Sequence, residues 1–452
     1  MANKKVLLIS PALKSMMVIG RPHLGIGLIA GKLTAAGFDV RILDYIIDRK
    51  LPPVGEVIDS FKPDIAGITI NTAYWSLADR MLDELDEHPG LIKLAGGPHS
   101  SLYSDELTKD GRIHYVFRGE SEEGIVDICE RGIIPDSPVV VEPPLPDMSR
   151  IPLPAFDLCM SREKIIEYPL QTSRGCPFNC IFCEVSGISS KKWRPRPIGQ
   201  VIGELETVKQ KYPGVRIIQI QDDNAAHDMD RFKEFLDAYN SMRGDWILRI
   251  DNIRADNVDA EIVALLEKAG CESICLGVEH ANPEIFKSIK KGETLDRIRE
   301  SARLIKNSGM RLGMCFVIGL PGDSYERTKE SVRFAKENGA DFMFWNILVP
   351  HKGTQVREWF EKNGRLRDER SFISAMDDQI MACRPVAETD SFPASEILKS
   401  HFMAVLSTNN YKLTKKNFLT IIFKAFQYGL IKELFRSLPS KLIEKLKAKM
   451  RP

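Results

Sequence analysis

The sequence of 452 residues has no uninterrupted apolar run of spanning length, and the short apolar run Val6–Ile9 stops at Ser10-Pro11. A helix that crosses a bilayer needs about 20 mostly apolar residues. No crossing segment is therefore expected, and Val6–Ile9 reads as a first strand rather than a signal peptide. Charge of one sign is not in excess: Lys and Arg total 63 against 62 Asp and Glu. That balance argues against a general nucleic-acid binder, and neither a helix-turn-helix nor a zinc-finger pattern is present. A disulfide framework is missing too. Nine Cys is an odd number, and several, such as Cys129, Cys271 and Cys315, stand in apolar contexts as packing residues. This is the usage of a reducing compartment, so a cytoplasmic protein is expected. Hydrophobic content of 43% fills cores and excludes a disordered chain.

What is present divides by position. The length suggests two or three domains. Over residues 1–131 apolar runs alternate with helical patterns: Val6–Ile9, Val40–Leu43, Pro63–Ile70, Leu91–Ala95 and Tyr115–Phe117, with helices at Gly25–Ala36 and through Trp75 to Leu85. Five strands with short crossovers predict a doubly wound, Rossmann-like α/β domain. Such sheets bind ligands beyond the carboxyl ends of their strands. Pro22–Gly27, Thr69–Thr72, Gly96–His99 and Gly119-Glu120 fall on that edge. Seven prolines between 135 and 154 make residues 132–160 an extended, stiff connector. Residues 161–383 alternate again, with strand runs at Tyr168–Thr172, Val215–Gln221, Trp246–Ile250, Ser273–Val278, Leu312–Ile318 and Phe342–Val349. Six βα units predict a partial (β/α)6 barrel with its chemistry at the carboxyl ends of the strands.

Cys176, Cys180 and Cys183 form C-x₃-C-x₂-C on the loop after the first of these strands. Three thiolates close in sequence can hold three irons of a [4Fe–4S] cube, leaving one iron without a protein ligand. An open position marks a catalytic metal site. The motif, with Phe182 before its third Cys, resembles the radical S-adenosylmethionine (SAM) superfamily. That resemblance implies that SAM chelates the open iron and that an electron from an external donor, such as flavodoxin or ferredoxin, releases a 5′-deoxyadenosyl radical. It also implies roles at the other strand ends. Asp222 and Asp223, after the second strand, face the SAM amino group; the competing reading is a helix cap. Arg254 forks onto the SAM carboxylate or ribose region, or else forms an ion pair. Glu279, in Gly277-Val-Glu-His280, is the better carboxylate for a SAM contact. The backbone of Val317 and Ile318 borders the adenine, and Gly319 permits its approach. His280 and His351 replace residues usual in the family, and His351 faces the substrate region.

The first domain resembles the cobalamin-binding domain fused to many radical SAM enzymes, through Pro22-His-Leu-Gly-Ile-Gly27, Gly96-Gly-Pro-His99 and Arg118-Gly-Glu120. The implied cobalamin contacts are Leu24, Gly25, Thr69, Asn71, Thr72, Tyr74, Trp75, Gly96, Gly97, His99, Gly119 and Glu120. The D-x-H-x-x-G loop that supplies a lower axial His in many cobalamin proteins is absent. His99 is either a cobalt ligand or a loop hydrogen-bonder, and Tyr74 or Trp75 either covers the lower corrin face or packs a helix onto the sheet.

Residues 401–452 carry nine Lys and two Arg against Glu433 and Glu444, an excess of nine positive charges, so residues 1–400 carry an excess of eight negative ones. Within the extension 384–452, Leu434, Phe435, Leu438, Leu442, Ile443 and Leu446 recur at helical spacing. Such a helix docks on the barrel, or lies on an anionic membrane as a peripheral contact. The resemblance implies a cobalamin-dependent radical SAM C-methyltransferase, in which methylcobalamin alkylates an unactivated carbon of a small-molecule or lipid substrate after hydrogen abstraction. The alternative is a rearrangement, cyclisation or dehydration without methyl transfer.

Overall fold

The computed structural model describes residues 4–12, 20–242, 244–367, 385–408 and 418–437. They form two compact units: Met1–Asn179 with Cys183–Glu272 and His351–Thr354, and Cys180–Phe182 with Ser273–Pro350 and Gln355–Pro452.

The first unit opens with β1 (Lys5–Ser10), α1 (Leu24–Ala35), β2 (Asp39–Asp44), α2 (Val54–Phe61), β3 (Ile65–Thr69) and α3 (Trp75–Asp86). It continues through β4 (Ile92–Gly96), α4 (Pro98–Leu102), α5 (Ser104–Asp110), β5 (Tyr115–Phe117), α6 (Ile125–Arg131) and β6 (Val139–Val141). The sheet order is β2-β1-β3-β4-β5-β6, and every neighbour is parallel. Val6, Leu7, Leu8 and Ile9 are all buried, as expected of a strand covered on both faces. The chain leaves β1 for β2 on one side and returns to β3 on the other, which opens a crevice at the carboxyl ends of these strands.

The sheet has six strands where the sequence reading gives five. The sixth comes from the proline-rich connector, where three β-branched valines lie between Pro138 and Pro143. Proline is tolerated beside an edge strand, and β6 pairs with β5 alone.

The same unit holds β7 (Glu167–Leu170), β8 (Ser173–Arg174), α7 (Val185–Ile188), β9 (Arg194–Pro195), α8 (Ile198–Lys211), β10 (Ile217–Ile220), α9 (Met229–Met242), β11 (Ile247–Ile253) and α10 (Ala260–Lys268). In parallel, β10 pairs with β7 and β11. The two-residue strands β8 and β9 pair antiparallel, through Ser173 with Pro195 and Arg174 with Arg194, at the foot of the cysteine loop.

The second unit carries β12 (Cys271–Glu279) from Ser273 onward, α11 (Pro283–Ser288), α12 (Leu295–Asn307), β13 (Arg311–Ile318), α13 (Tyr325–Glu337) and β14 (Phe342–Ile347). Strand β13 pairs in parallel with β12 and β14. Thr294 and Ser324 cap α12 and α13, each accepting from an amide in the first turn. Three parallel strands in each unit account for the six read from the sequence.

After α14 (Gln355–Asn363), β15 (Arg365–Leu366) and β16 (Ala387–Glu388) come α15 (Ala394–Ser407), α16 (Phe418–Gln427) and α17 (Ile431–Ser437). α15 packs on α13 and β14, and α17 on α15 and α16. His401 Nε2 donates to the Trp345 carbonyl at 3.0 Å, and burial pulls its pKa down to about 4. Ile421, Ala425, Leu430 and Leu434 are buried, so the described part of the extension is docked. Leu438, Leu442, Ile443 and Leu446 lie outside the described residues. Among the described residues no helix is long and apolar enough to cross a membrane.

Candidate functional site

Cys176, Cys180 and Cys183 are half-buried, whereas Cys129, Cys159, Cys271 and Cys275 are buried. In the first unit the Arg254 guanidinium lies 3.5 Å over the ring centre of Phe178, inside the motif, and its charge acts on Cys176. Arg254 also forks onto Asp256 at 2.9 and 2.6 Å. In the second unit Ile181 donates its amide to the Ile289 carbonyl at 3.1 Å and accepts from Val356 at 3.0 Å, which pins Cys180–Phe182 by backbone. The buried Lys291 ammonium acts electrostatically on Cys180. Among the described residues no three His, Cys, Asp or Glu side chains converge as a ready metal-holding set. The donor chemistry still suits an iron–sulfur cluster: three accessible thiols on one loop, with buried cations acting on two of them.

The carboxyl edge of the first sheet encloses a cavity of about 240 Å³ that opens to solvent. Its walls include Leu24, Gly25, Thr69, Gly96, Gly97, Gly119 and Glu120, seven of the residues that the sequence reading assigns to cobalamin. Gly97 holds φ +93, and a Cβ there would lie 2.6 Å from Thr69 Oγ1 and 2.9 Å from the Ile70 carbonyl. Only glycine fits such a position, and it leaves backbone bare at the cavity wall. A glycine-walled cavity at the strand switch point fits a large cofactor held through backbone contacts.

His23 also lines this cavity. Its Nδ1 accepts from Ile26 N–H at 3.3 Å, which places the ring proton on Nε2, and burial pulls its pKa down to about 4. Asp44 accepts from the His23 and Ile46 amides, and burial pushes its carboxyl up to about 6 against those bonds.

Gln171, Arg174, Ser189 and Asp223 close the cavity from the side of the cysteine loop. Arg174, two residues before Cys176, bonds Glu120 at 2.8 Å and Glu122 at 2.7 Å. Arg194 also pairs with Glu120. Burial works against the Arg174 charge, but Glu122 and Glu120 outweigh it and raise its pKa. This clamp fastens the Arg118-Gly-Glu120 loop to the segment that leads into the cysteines. Sequence reasoning missed Arg174 and Glu122, because spacing carries no signal for an ion pair more than fifty residues apart.

The other residues implied for cobalamin, Asn71, Thr72, Tyr74, Trp75 and His99, are not among the cavity walls. Asn71 caps the turn after β3 by accepting from the Ala73 amide at 2.8 Å. Thr72 Oγ1 lies 3.1 Å from His99 Nδ1. The His99 ring stacks on Tyr103 with centres 4.6 Å apart and leans on Trp75 at 4.8 Å. Both Trp75 and His99 are buried in this stack. The side chain of Tyr74 lies outside the described residues.

The polar strand ends divide their work. Asp222, after β10, is buried and accepts from Thr172 N, Thr172 Oγ1 and Ser173 Oγ, each at 2.6 Å. Burial pushes its pKa up to about 6 against those bonds. Its carboxylate thus anchors the turn before the cysteine loop, while Asp223 holds the Gly175 amide at 2.7 Å and reaches the cavity.

In the second unit a register shift in β12 between Gly277 and Glu279 turns the latter aside, with φ +65. Such bulges re-aim side chains next to reactive sites, and left-handed backbone at a non-glycine residue is strained. Glu279 pairs with Lys291 at 3.0 Å, and Lys291 also holds Glu293 at 3.2 Å and the Gly277 carbonyl. A Cβ on Gly277 would lie 2.5 Å from the Glu279 carboxylate and 2.6 Å from the Lys291 ammonium, so glycine leaves the room for this pair.

At the end of β13, Ile318 accepts from the Leu348 amide at 2.9 Å and Gly319 donates to Asp323 at 2.8 Å. Val317 pairs with Asn346 of β14. His280 Nδ1 accepts from Asn282 N–H at 3.0 Å, so Nε2 carries the proton and donates to Asp323 at 3.0 Å. His280 is therefore a buried latch between the ends of β12 and β13. His351, in the first unit, places Nδ1 3.3 Å from the Tyr103 hydroxyl and Nε2 3.3 Å from Glu184.

Two family models match this chain, the B12 binding domain at residues 21–128 and the Radical SAM superfamily at residues 170–335. The first stretch contains the glycine edge and the second the three cysteines. The chain is 29% identical over 393 residues to an uncharacterized methyltransferase of Pyrococcus horikoshii, covering 80% of this chain and 84% of that one. It is 28% identical over 366 residues to an anaerobic magnesium-protoporphyrin IX monomethyl ester cyclase of Rubrivivax gelatinosus, covering 73% of this chain and 64% of the cyclase. Among solved structures, the radical SAM methyltransferase TsrM from Kitasatospora setae aligns with a TM-score of 0.65 at 17% identity, over 78% of this chain and 75% of its own, a likeness of fold. The chain is an enzyme whose cofactors are a [4Fe–4S] cluster, SAM and cobalamin. It belongs to the radical SAM enzymes that carry a cobalamin-binding domain.

Proposed function

We propose that this enzyme is a cobalamin-dependent radical SAM methyltransferase acting on an unactivated carbon of a small-molecule or lipid substrate. The observation that carries the reading is the shared wall: the glycine-lined cavity is closed by Arg174 and Asp223, from the segments that anchor the cysteine loop. The methyltransferase relative adds support. When bound, the cofactors supply hydrogen-atom abstraction and a transferable methyl group.

The chain's own residues bind and orient. Cys176, Cys180 and Cys183 would hold three irons as thiolates, with Arg254 and Lys291 supplying positive charge. Within the second unit Glu279, held in place by Lys291, would accept from the SAM ammonium through a charge-assisted hydrogen bond. Val317, Ile318 and Gly319 border the adenine at the end of β13. Leu24, Gly25, Thr69, Gly96, Gly97 and Gly119 would line the corrin cofactor's cavity. His99, held by Thr72, would serve as a loop hydrogen-bonder beside the cofactor. An external one-electron donor of the flavodoxin or ferredoxin class would supply the electron.

A second reading is cyclisation without methyl transfer, favoured by the similarity to the Rubrivivax gelatinosus cyclase. Anaerobic turnover with methyl-deuterated SAM separates the two. Methyl transfer yields S-adenosylhomocysteine together with 5′-deoxyadenosine and a labelled product; deoxyadenosine alone with unlabelled product overturns the methyltransferase reading.

A further inference from the structure

Helices α16 and α17 each have two unlike faces. On α16, Ile421 and Ala425 lie four residues apart and are buried, while Phe423 and Phe426 lie three apart on the opposite side, 66% and 76% exposed. On α17, Leu434 is buried, while Lys432, Phe435 and Arg436 share the exposed side. Glu433, the acidic residue of α17, acts on Tyr325 and Lys329 of α13. The solvent-facing sides of the docked helices therefore carry phenyl rings on α16 and, on α17, a phenyl ring with two cations. Two neighbouring phenylalanines this exposed are not needed for packing, since the helices already bury their other side.

Residues 401–452 carry an excess of nine positive charges. A second copy of the chain would bring the same excess against itself, which disfavours self-association through this side. An anionic lipid surface complements it, because each Lys or Arg near such a surface is attracted and aromatic rings settle at the headgroup boundary. We propose that this outward side rests on an anionic phospholipid bilayer, with Phe423 and Phe426 entering the interface and Lys432 and Arg436 against the headgroups. The contact is peripheral, since no described helix is long and apolar enough to cross.

The test is sedimentation of the full-length holoenzyme with phosphatidylcholine vesicles and with vesicles containing roughly one-third phosphatidylglycerol. Binding is expected only to the anionic vesicles, and weaker at high salt. Phe423→Ser with Phe426→Ser should lower the partition coefficient roughly tenfold for each ring lost, with an unchanged melting temperature because both side chains are exposed. Lys432→Glu with Arg436→Glu should abolish the preference for anionic vesicles. Equal binding to both vesicle types, no binding, or unchanged partition of the serine variant overturns the proposal. A dimer in sedimentation equilibrium that the serine variant dissociates assigns this side to a second copy instead.

Discussion

Replacing Arg174 by Met tests the clamp between the cavity loop and the cysteine segment. The three side chains are 8%, 7% and 6% exposed for Arg174, Glu120 and Glu122. Removing one partner of a buried pair costs about 3–5 kcal/mol, because it strands the opposite charge. Glu120 keeps Arg194, so the loss falls chiefly on Glu122, and the lower end, about 3 kcal/mol, is expected. At about 2–4 °C per kcal/mol for a unit of this size, the melting temperature should fall by roughly 6–12 °C. The double variant Arg174→Met with Glu122→Met removes the stranded carboxylate and should recover most of that loss. Calorimetry on the three proteins before cofactor loading reads this directly. A single variant that melts like the wild type, or a double variant no better than the single, refutes the clamp as a buried charge network.

Lys291→Met leaves Glu279 and Glu293 buried without their cation, so it should destabilise by about 3–5 kcal/mol, while Lys291→Arg retains most of the stability. In the Arg and Met variants a redox titration of the cluster should show a more negative midpoint for Met, and equal midpoints would contradict the electrostatic role given to Lys291. His401 has a folded pKa near 4 against 6.5 unfolded, so its contribution is present above pH 6.5 and is lost as pH falls through 4. His401→Gln should make the fall in unfolding free energy across that window shallower by up to about 1.4 kcal/mol per pH unit, measured by denaturant titration; an unchanged slope would count against it. His99→Ala should leave the cob(II) electron paramagnetic resonance spectrum unchanged, because Thr72, Tyr103 and Trp75 already occupy that ring. A nitrogen splitting that disappears in the variant would make His99 the ligand.

Much of the architecture was legible because its signals are local. Continuous apolar runs such as Val6–Ile9 and Leu312–Ile318 mark buried parallel strands, and the cysteine spacing lies within eight residues. Strand β6 was not legible, because seven prolines over 135–154 hide three valines that need only β5 as a neighbour. The site was half legible. Glycines at strand ends point to the cavity, since their backbone role depends on the local turn. The clamp of Arg174 with Glu120 and Glu122 joins residues far apart in sequence, which no spacing records. Lys291 stands beside Lys290 in the sequence, yet one is buried and the other exposed, and only packing distinguishes them. Asp222 reads as a strand-end carboxylate, but burial turns it onto Thr172 and Ser173.

The central claim is that one chain holds both an iron–sulfur cluster, through Cys176, Cys180 and Cys183, and cobalamin. Metal analysis after anaerobic reconstitution tests it most directly, on the wild type and on the variant with Cys176, Cys180 and Cys183 all changed to Ala. The wild type should hold about four iron and one cobalt per chain, and the variant should lose the iron while keeping the cobalt. Iron retained by the triple variant, or no cobalt taken up by the wild type, would contradict the account.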